Sequence, residues 1–118
     1  MNLAVLASGS GTTLQNLIDR IASRSLDARI EIVISSRPGI LALDRAAKAS
    51  IPAHVIDRKS FSNPADFSRP IFNLIDEQKI DLICLAGWLC MLNIPPRYEN
   101  RVINIHPALL PSFGGRGM

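Results

Sequence analysis

The sequence has 118 residues, of which 47% are hydrophobic and 19% are charged, a balance typical of one globular domain. Its apolar runs are far shorter than the roughly 20 residues that span a bilayer, so we expect no membrane contact. It begins on a strand-like apolar stretch rather than on the basic region of a signal peptide. The two cysteines, Cys84 and Cys90, match neither a disulfide framework nor a metal-binding pair. We therefore expect a reducing, cytoplasmic setting.

The charge of the chain excludes little. Its 13 basic and 10 acidic residues give a formal net charge of +3 at pH 7. The basic residues are scattered and alternate with no aromatic stripe, so we expect no nucleic-acid partner. No group of histidine, cysteine, aspartate or glutamate has the spacing of metal ligands, and we expect no metal.

Short apolar runs alternate with helical patterns along the whole chain. Strands are predicted over residues 2–7, 29–34, 52–56, 81–86 and 101–105. Helices are predicted over residues 14–22, over residues 40–50, and up to about residue 79. Because proline lacks a backbone donor, Pro70 indicates that the third helix begins near residues 66–69 or kinks there. This alternation predicts an α/β fold, a doubly wound, Rossmann-like parallel sheet covered on both faces.

The first candidate site is the turn at residues 8–13 (SGSGTT), between the first strand and the first helix. Doubly wound sheets bind ligands beyond the carboxyl ends of their strands, where this turn lies. The N–H groups that begin the helix, with the hydroxyls of Thr12 and Thr13, can bind a phosphate. A dinucleotide is disfavoured because Leu14 stands where its fingerprint has a third glycine. The alternative is an ordinary tight turn.

The second candidate site is residues 87–92 (GWLCML), an apolar stretch directly after the fourth strand. Such residues form the wall of a pocket for a flat, largely apolar ligand. The alternative is that they are core residues beneath further chain, and the two interpretations are compatible. Cys90 has no base beside it in the sequence, so we interpret it as part of the wall.

The third candidate site is Asn104-Ile105-His106, at the end of the fifth strand. Residues two apart on an extended chain share a face, so the Asn104 amide and the His106 imidazole lie on one side. An amide that donates to a developing oxyanion, beside a histidine that moves protons, favours acyl transfer. The alternative is a structural histidine next to an asparagine turn.

These segments together resemble the phosphoribosylglycinamide formyltransferases of purine biosynthesis. The matching segments are residues 7–15 (ASGSGTTLQ), 85–92 (LAGWLCML) and 103–111 (INIHPALLP). The last motif is shared by the wider superfamily that uses 10-formyltetrahydrofolate, whereas the first points to this family. The resemblance covers essentially the whole chain.

The resemblance assigns roles to individual residues. It implies that Asn104 and His106 are catalytic and hold the tetrahedral oxyanion formed during formyl transfer. It implies a pocket for 10-formyltetrahydrofolate, the formyl donor, formed by Leu89, Cys90, Met91, Leu92 and Asn104. It implies a site for the phosphoribosyl end of glycinamide ribonucleotide, formed by Gly11, Thr12, Thr13, Leu14 and Gln15.

The sequence departs from the family in two respects. It stops inside the glycine-rich residues 114–118, whereas the family's catalytic aspartate lies further along the chain. We therefore expect residues 1–118 to form one N-terminal formyltransferase domain whose C-terminal part is missing, and to be inactive alone. Pro64 stands where some relatives have a basic residue that helps to bind folate. The alternatives are a methionyl-tRNA formyltransferase, a formyltetrahydrofolate deformylase, or a non-catalytic phosphate-binding fragment.

Overall fold

A five-stranded parallel sheet is the centre of the computed structural model, which describes residues 1–105. The strands are β1 (Asn2–Ala7), β2 (Arg29–Ser35), β3 (Ala53–Val55), β4 (Leu82–Ala86) and β5 (Val102–Ile105). Their order across the sheet is β3-β2-β1-β4-β5, and every neighbouring pair is parallel. Because β2 and β4 both pair with β1, the order reverses beside β1. This reversal is the position where doubly wound sheets bind ligands.

Helices cover both faces of the sheet, as the alternating pattern predicts. The helices are α1 (Thr12–Ala22), α2 (Leu41–Lys48) and α3 (Pro64–Asp76), with short 3-10 turns at Arg58–Ser60 and Pro96–Tyr98. One core lies beneath α1 and α2 and contains Leu14, Ala42, Ala46, Val5 and Cys84. The other lies beneath α3 and contains Phe67, Ile71, Ile75, Leu6 and Ile83. Within residues 1–105, no helix is long and apolar enough to cross a membrane.

The start of α3 corrects one of the two alternatives predicted from Pro70, a helix that begins near residues 66–69. The helix begins at Pro64, and the Asn63 side chain accepts a hydrogen bond of 2.8 Å from the Asp66 backbone N–H. An asparagine cap followed by proline is a favourable start, since proline already has a helical φ. Pro70 therefore lies inside the helix, where it removes one hydrogen bond, the bond to the Asp66 carbonyl.

A polar cluster joins the end of α3 to the turn before β5. The Tyr98 hydroxyl donates a hydrogen bond of 2.7 Å to Asp76, and Arg97 Nε donates one of 3.1 Å to the same carboxylate. The Arg97 guanidinium, followed by the Tyr98 hydroxyl, lowers the pKa of the Asp76 carboxyl below its ordinary value of 3.8. The cluster thus ties the chain between β4 and β5 to α3.

This cluster predicts an acid-sensitive contribution to stability. We expect Asp76→Asn to lower the free energy of unfolding modestly at neutral pH, because the cluster is partly exposed. Since the folded-state pKa is lowered, the contribution is complete above the ordinary carboxyl pKa and is lost as the pH falls through the folded pKa. Urea unfolding of both proteins, from neutral pH down to about pH 2, measures the difference. A difference that stayed constant over the whole range would contradict the assignment.

Candidate active site

The carboxyl ends of β1, β4 and β5 lie side by side at one edge of the sheet. Leu6 of β1 is in register with Leu85 of β4, and Ala86 of β4 is in register with Ile105 of β5. The turn after β1 and the segment after β4 therefore leave the sheet at neighbouring points, on either side of a cavity of about 250 Å³. The cavity is lined by residues 9–13, Ala86 and Gly87. The first two candidate segments are thus brought together.

The amino end of α1 opens onto this cavity. Gly11 is the N-cap residue and has a left-handed backbone with φ of 78°, which glycine adopts readily. In the described part of the chain, no side chain caps this helix end. The first helical hydrogen bond runs from the Gln15 N–H to the Gly11 carbonyl at 2.8 Å, so the N–H groups of Thr12, Thr13 and Leu14 have no helical acceptor. Such N–H groups, at the positive end of the helix dipole, are suited to an anion.

The hydroxyl of Thr13 adds a second donor at the same place. Thr13 is only 4% exposed, and its Oγ1 has no hydrogen-bond partner among residues 1–105. It lines the cavity described above and a neighbouring one of about 320 Å³, which extends to Asn16, Arg20 and Ile105. A buried hydroxyl without a partner costs free energy, and a ligand that accepts its hydrogen bond removes that cost.

The five residues predicted to bind glycinamide ribonucleotide occupy different positions in the structure. Gly11, Thr12 and Thr13 line the cavity. The Leu14 side chain is fully buried in the core beneath α1, so only its backbone can reach a ligand. The Gln15 side chain donates to Asp19 at 2.9 Å and accepts from Arg45 at 3.4 Å, on the neighbouring surface of the helix.

Sequence reasoning missed the residues that hold the turn in place. Arg45 of α2 donates from Nε to the Ser10 carbonyl at 2.8 Å, and Arg37 donates from Nε to the Ser8 carbonyl at 2.7 Å. Both guanidinium groups therefore lie at a turn that is suited to an anion. No local pattern marks them, because they lie about 30 residues from the turn in sequence, a separation that folding closes.

Residues 87–92 form partly core and partly surface. Trp88 is buried, and its ring stacks on Phe67 of α3 with centroids 5.8 Å apart and 10° between the ring planes. Cys90 and Leu92 are partly buried against the same core, whereas Leu89 is 80% and Met91 77% exposed. Trp88 is thus a core residue beneath α3, and the interpretation of the segment as a pocket wall stays a prediction. Exposed apolar side chains such as those of Leu89 and Met91 are typical of a binding surface.

Asn104 lies on the face of the sheet that α3 covers. It is in register with Leu85, and Leu85 packs against the core beneath α3. Register partners on parallel strands project to the same face, so Asn104 shares a face with Trp88. Its side chain is exposed, and its predicted catalytic role stays a prediction. The predicted partner, His106, lies outside the described residues.

The cysteines have different surroundings. Burial raises the pKa of the Cys84 thiol to about 11, so it is neutral at physiological pH and acts as a core residue. Cys90 is half-buried beside the exposed Leu89 and Met91, consistent with its predicted place in a wall. In residues 1–105 no three histidine, cysteine, aspartate or glutamate side chains are placed to hold a metal ion, and the expectation of no metal stays a prediction.

Comparison with known proteins identifies a family and several relatives that this chain resembles. The sequence profile of the family described as "Formyl transferase" matches residues 1–118. The chain is 40% identical over 115 residues to phosphoribosylglycinamide formyltransferase of Haemophilus influenzae, a match that covers 96% of this chain and 54% of that protein. It is 42% identical over 115 residues to the human "trifunctional purine biosynthetic protein adenosine-3", covering 96% of this chain and 11% of that protein.

Solved structures confirm the predicted fold class. Glycinamide ribonucleotide transformylase 1 of Geobacillus kaustophilus superposes with a TM-score of 0.82 at 38% sequence identity. The match covers 98% of this chain and 63% of that one. The chain thus spans about half the length of its Haemophilus relative and under two thirds of the Geobacillus structure.

Proposed function

Because the chain belongs to the formyl transferase family, we propose that it forms the N-terminal part of an enzyme that transfers a formyl group to the amine of glycinamide ribonucleotide. The formyl donor is 10-formyltetrahydrofolate, and the product enters purine biosynthesis. The similar proteins described above are named for this reaction or for purine biosynthesis. These names favour it over transfer to methionyl-tRNA and over deformylation of the folate.

The observation that carries the proposal is the uncapped amino end of α1 with the unpartnered Thr13 hydroxyl. A phosphate monoester accepts several hydrogen bonds at once, and this helix end offers backbone donors, one buried hydroxyl and a favourable dipole. Arg45 and Arg37 add positive charge at the turn. We assign the phosphoribosyl end of the substrate to residues 11–15, with the backbone rather than the side chain of Leu14 in contact.

The formyl donor is assigned to the other side of the cavity. Leu89 and Met91, which follow the cavity residue Gly87, expose apolar surface. Cys90 and Leu92 pack against the core beneath α3, and Asn104 lies on that face of the sheet. This surface suits the flat ring system of a folate. Pro64 is the first residue of α3, and its uncharged side chain supplies no basic group to the formyl donor.

The chemistry then requires two protein groups near the formyl carbon. The amine nitrogen of glycinamide ribonucleotide attacks that carbon and forms the new C–N bond, while the carbonyl oxygen becomes an oxyanion. The Asn104 amide and protonated His106 donate hydrogen bonds to this oxyanion. Collapse breaks the bond from the formyl carbon to N10 of the folate, and the proton lost by the amine passes to N10.

We place the reaction in the cytoplasm, with two small-molecule substrates and no nucleic-acid partner or metal. The two free cysteines suit a reducing compartment. The second candidate function is a phosphate-binding fragment without turnover. It rests on the uncapped helix end and on the Thr13 hydroxyl, which has no partner among residues 1–105; these groups suffice to bind an anion and supply none of the groups for turnover.

Substitution at Thr13 tests the phosphate site. We expect Thr13→Val to weaken binding of glycinamide ribonucleotide about tenfold, because one hydrogen bond to a charged group is lost. We expect no loss of stability, since the hydroxyl has no partner among residues 1–105 and valine has nearly the same shape. Titration calorimetry measures the affinity, and urea unfolding measures the stability.

Thr13→Ser is the matched variant, because it keeps the hydroxyl and removes only the methyl group. We expect it to retain most of the affinity. Equal affinity of the valine variant and the unsubstituted chain would exclude Thr13 from the site. Absence of binding by the unsubstituted chain, under conditions in which it is folded, would count against the proposed function itself.

A further inference from the structure

Ser8 joins the two halves of the site. It follows directly after β1 and is 2% exposed. Its Oγ accepts one hydrogen bond of 2.7 Å from the Ser36 hydroxyl and one of 3.1 Å from the Leu89 backbone N–H. Its carbonyl accepts the 2.7 Å hydrogen bond from Arg37. One buried residue of the turn after β1 thus contacts both the turn after β2 and the segment after β4.

The hydrogen bond from the Leu89 N–H to Ser8 connects the two candidate segments. In the part of the chain that the structure describes, it is the only hydrogen bond between residues 8–13 and residues 87–92. Residues 88–92 have no regular secondary structure, and the Leu89 side chain is 80% exposed, so packing constrains this residue little. The stacked Trp88 ring fixes the segment against α3, and the Ser8 hydroxyl fixes its backbone against the phosphate turn.

Ser36 holds Ser8 without touching the segment itself. Its backbone N–H donates to the Ala7 carbonyl at 3.2 Å, and its carbonyl accepts from the Arg58 N–H at 2.9 Å. Ser36 is therefore anchored on both sides, and its hydroxyl donates to Ser8 from a fixed position. The Ser8 oxygen is then oriented to accept from Leu89. Because only Ser8 bonds to Leu89, substitutions at Ser8 and at Ser36 can separate the roles of the two hydroxyls.

We propose that Ser8 is a positioning residue whose hydroxyl sets the place of residues 88–92 relative to the phosphate turn. This role rests on the proposed function: Ser8 holds the formyl-donor surface at the correct distance from the bound amine. A bimolecular reaction between two bound substrates depends steeply on such placement. In this role Ser8 contacts neither substrate and acts through its hydrogen bond to the Leu89 backbone.

The first test follows the Leu89 amide by hydrogen exchange in the 118-residue chain. Ser8→Ala removes its acceptor, and we expect its exchange rate to rise at least tenfold. Ser36→Ala is the matched control: it removes one hydrogen bond to the same oxygen and leaves Leu89 its acceptor, so we expect less than a threefold change. Comparable exchange of Leu89 in both variants would overturn the proposal. If Ser8→Ala does not fold, Ser8→Cys keeps the shape with a weaker acceptor, and the same comparison applies.

The second test separates positioning from stability. The chain is extended with the part of the Haemophilus relative that it does not match, and KM is measured for each substrate. We expect Ser8→Ala to raise KM for the formyl donor about tenfold, equal to about 1.4 kcal/mol, and KM for glycinamide ribonucleotide less than threefold. We expect Ser36→Ala to change neither KM by more than threefold. Equal changes in both KM values, following the loss of thermal stability, would show a merely structural role.

Different results would refute the proposed function and the positioning role of Ser8. Lack of turnover by the unsubstituted extended enzyme, with both ligands bound, would refute the proposed function and leave the exchange measurement to decide the place of Ser8. Turnover with an unchanged donor KM in Ser8→Ala would refute the positioning role and leave the proposed function intact.

Discussion

Gly11→Val is expected to unfold a large fraction of the protein rather than only to weaken phosphate binding. A side chain at this position would place its Cβ 2.7 Å from the Ala42 Cα and 2.9 Å from the Ala42 Cβ. The φ of 78° adds strain, because a β-branched residue rarely adopts a left-handed backbone. Strain and overpacking together amount to about 4 kcal/mol. Urea unfolding measures the loss.

Gly9→Ala is the matched control within the same turn. A Cβ at Gly9 meets nothing within 4 Å, so we expect a loss below about 1 kcal/mol. The sequence alone shows Gly11 before a helix at the predicted phosphate site and does not show α2 packed against it. An unchanged unfolding midpoint in Gly11→Val would mean that α2 does not pack on this turn.

His106→Ala is expected to lower turnover by about 10⁴-fold in the extended enzyme, the scale of losing a proton-transfer group. The proposed mechanism gives His106 a hydrogen bond to the oxyanion, and the Asn104-Ile105-His106 pattern predicts that His106 also moves protons. No other histidine lies near residue 104 in the sequence. Substrate affinities should change much less than turnover. Steady-state kinetics with both substrates measures the two quantities separately.

The same substrate binding and turnover are measured on the 118-residue chain by itself. We expect it to bind glycinamide ribonucleotide and to give no measurable turnover, because the partner of His106 implied by the resemblance lies outside it. Substantial turnover by the short chain would refute this division of the site. Full activity of His106→Ala in the extended enzyme would refute the catalytic assignment.

The sequence by itself determined the elements and the positions of the three candidate segments. Alternation of apolar runs with helical patterns leaves one consistent solution, a parallel sheet with helices on both faces, because each run must be covered. Since ligands bind at the carboxyl ends of parallel strands, residues 8–13, 87–92 and 104–106 were predicted to meet. Of the two alternatives that Pro70 predicts for α3, a start near residues 66–69 is wrong, because Asn63 caps the helix and Pro64 begins it.

Only the tertiary structure decided which groups face one another. Leu14 and Thr13 are neighbours in a motif, yet the Leu14 side chain fills the core whereas Thr13 lines the cavity, because the helix turns by about 100° per residue. The contact of Ala42 with Gly11 and the hydrogen bond from Leu89 to Ser8 join residues 31 and 81 positions apart. Periodicity carries no information on such pairs, since they arise from the order in which the strands pack.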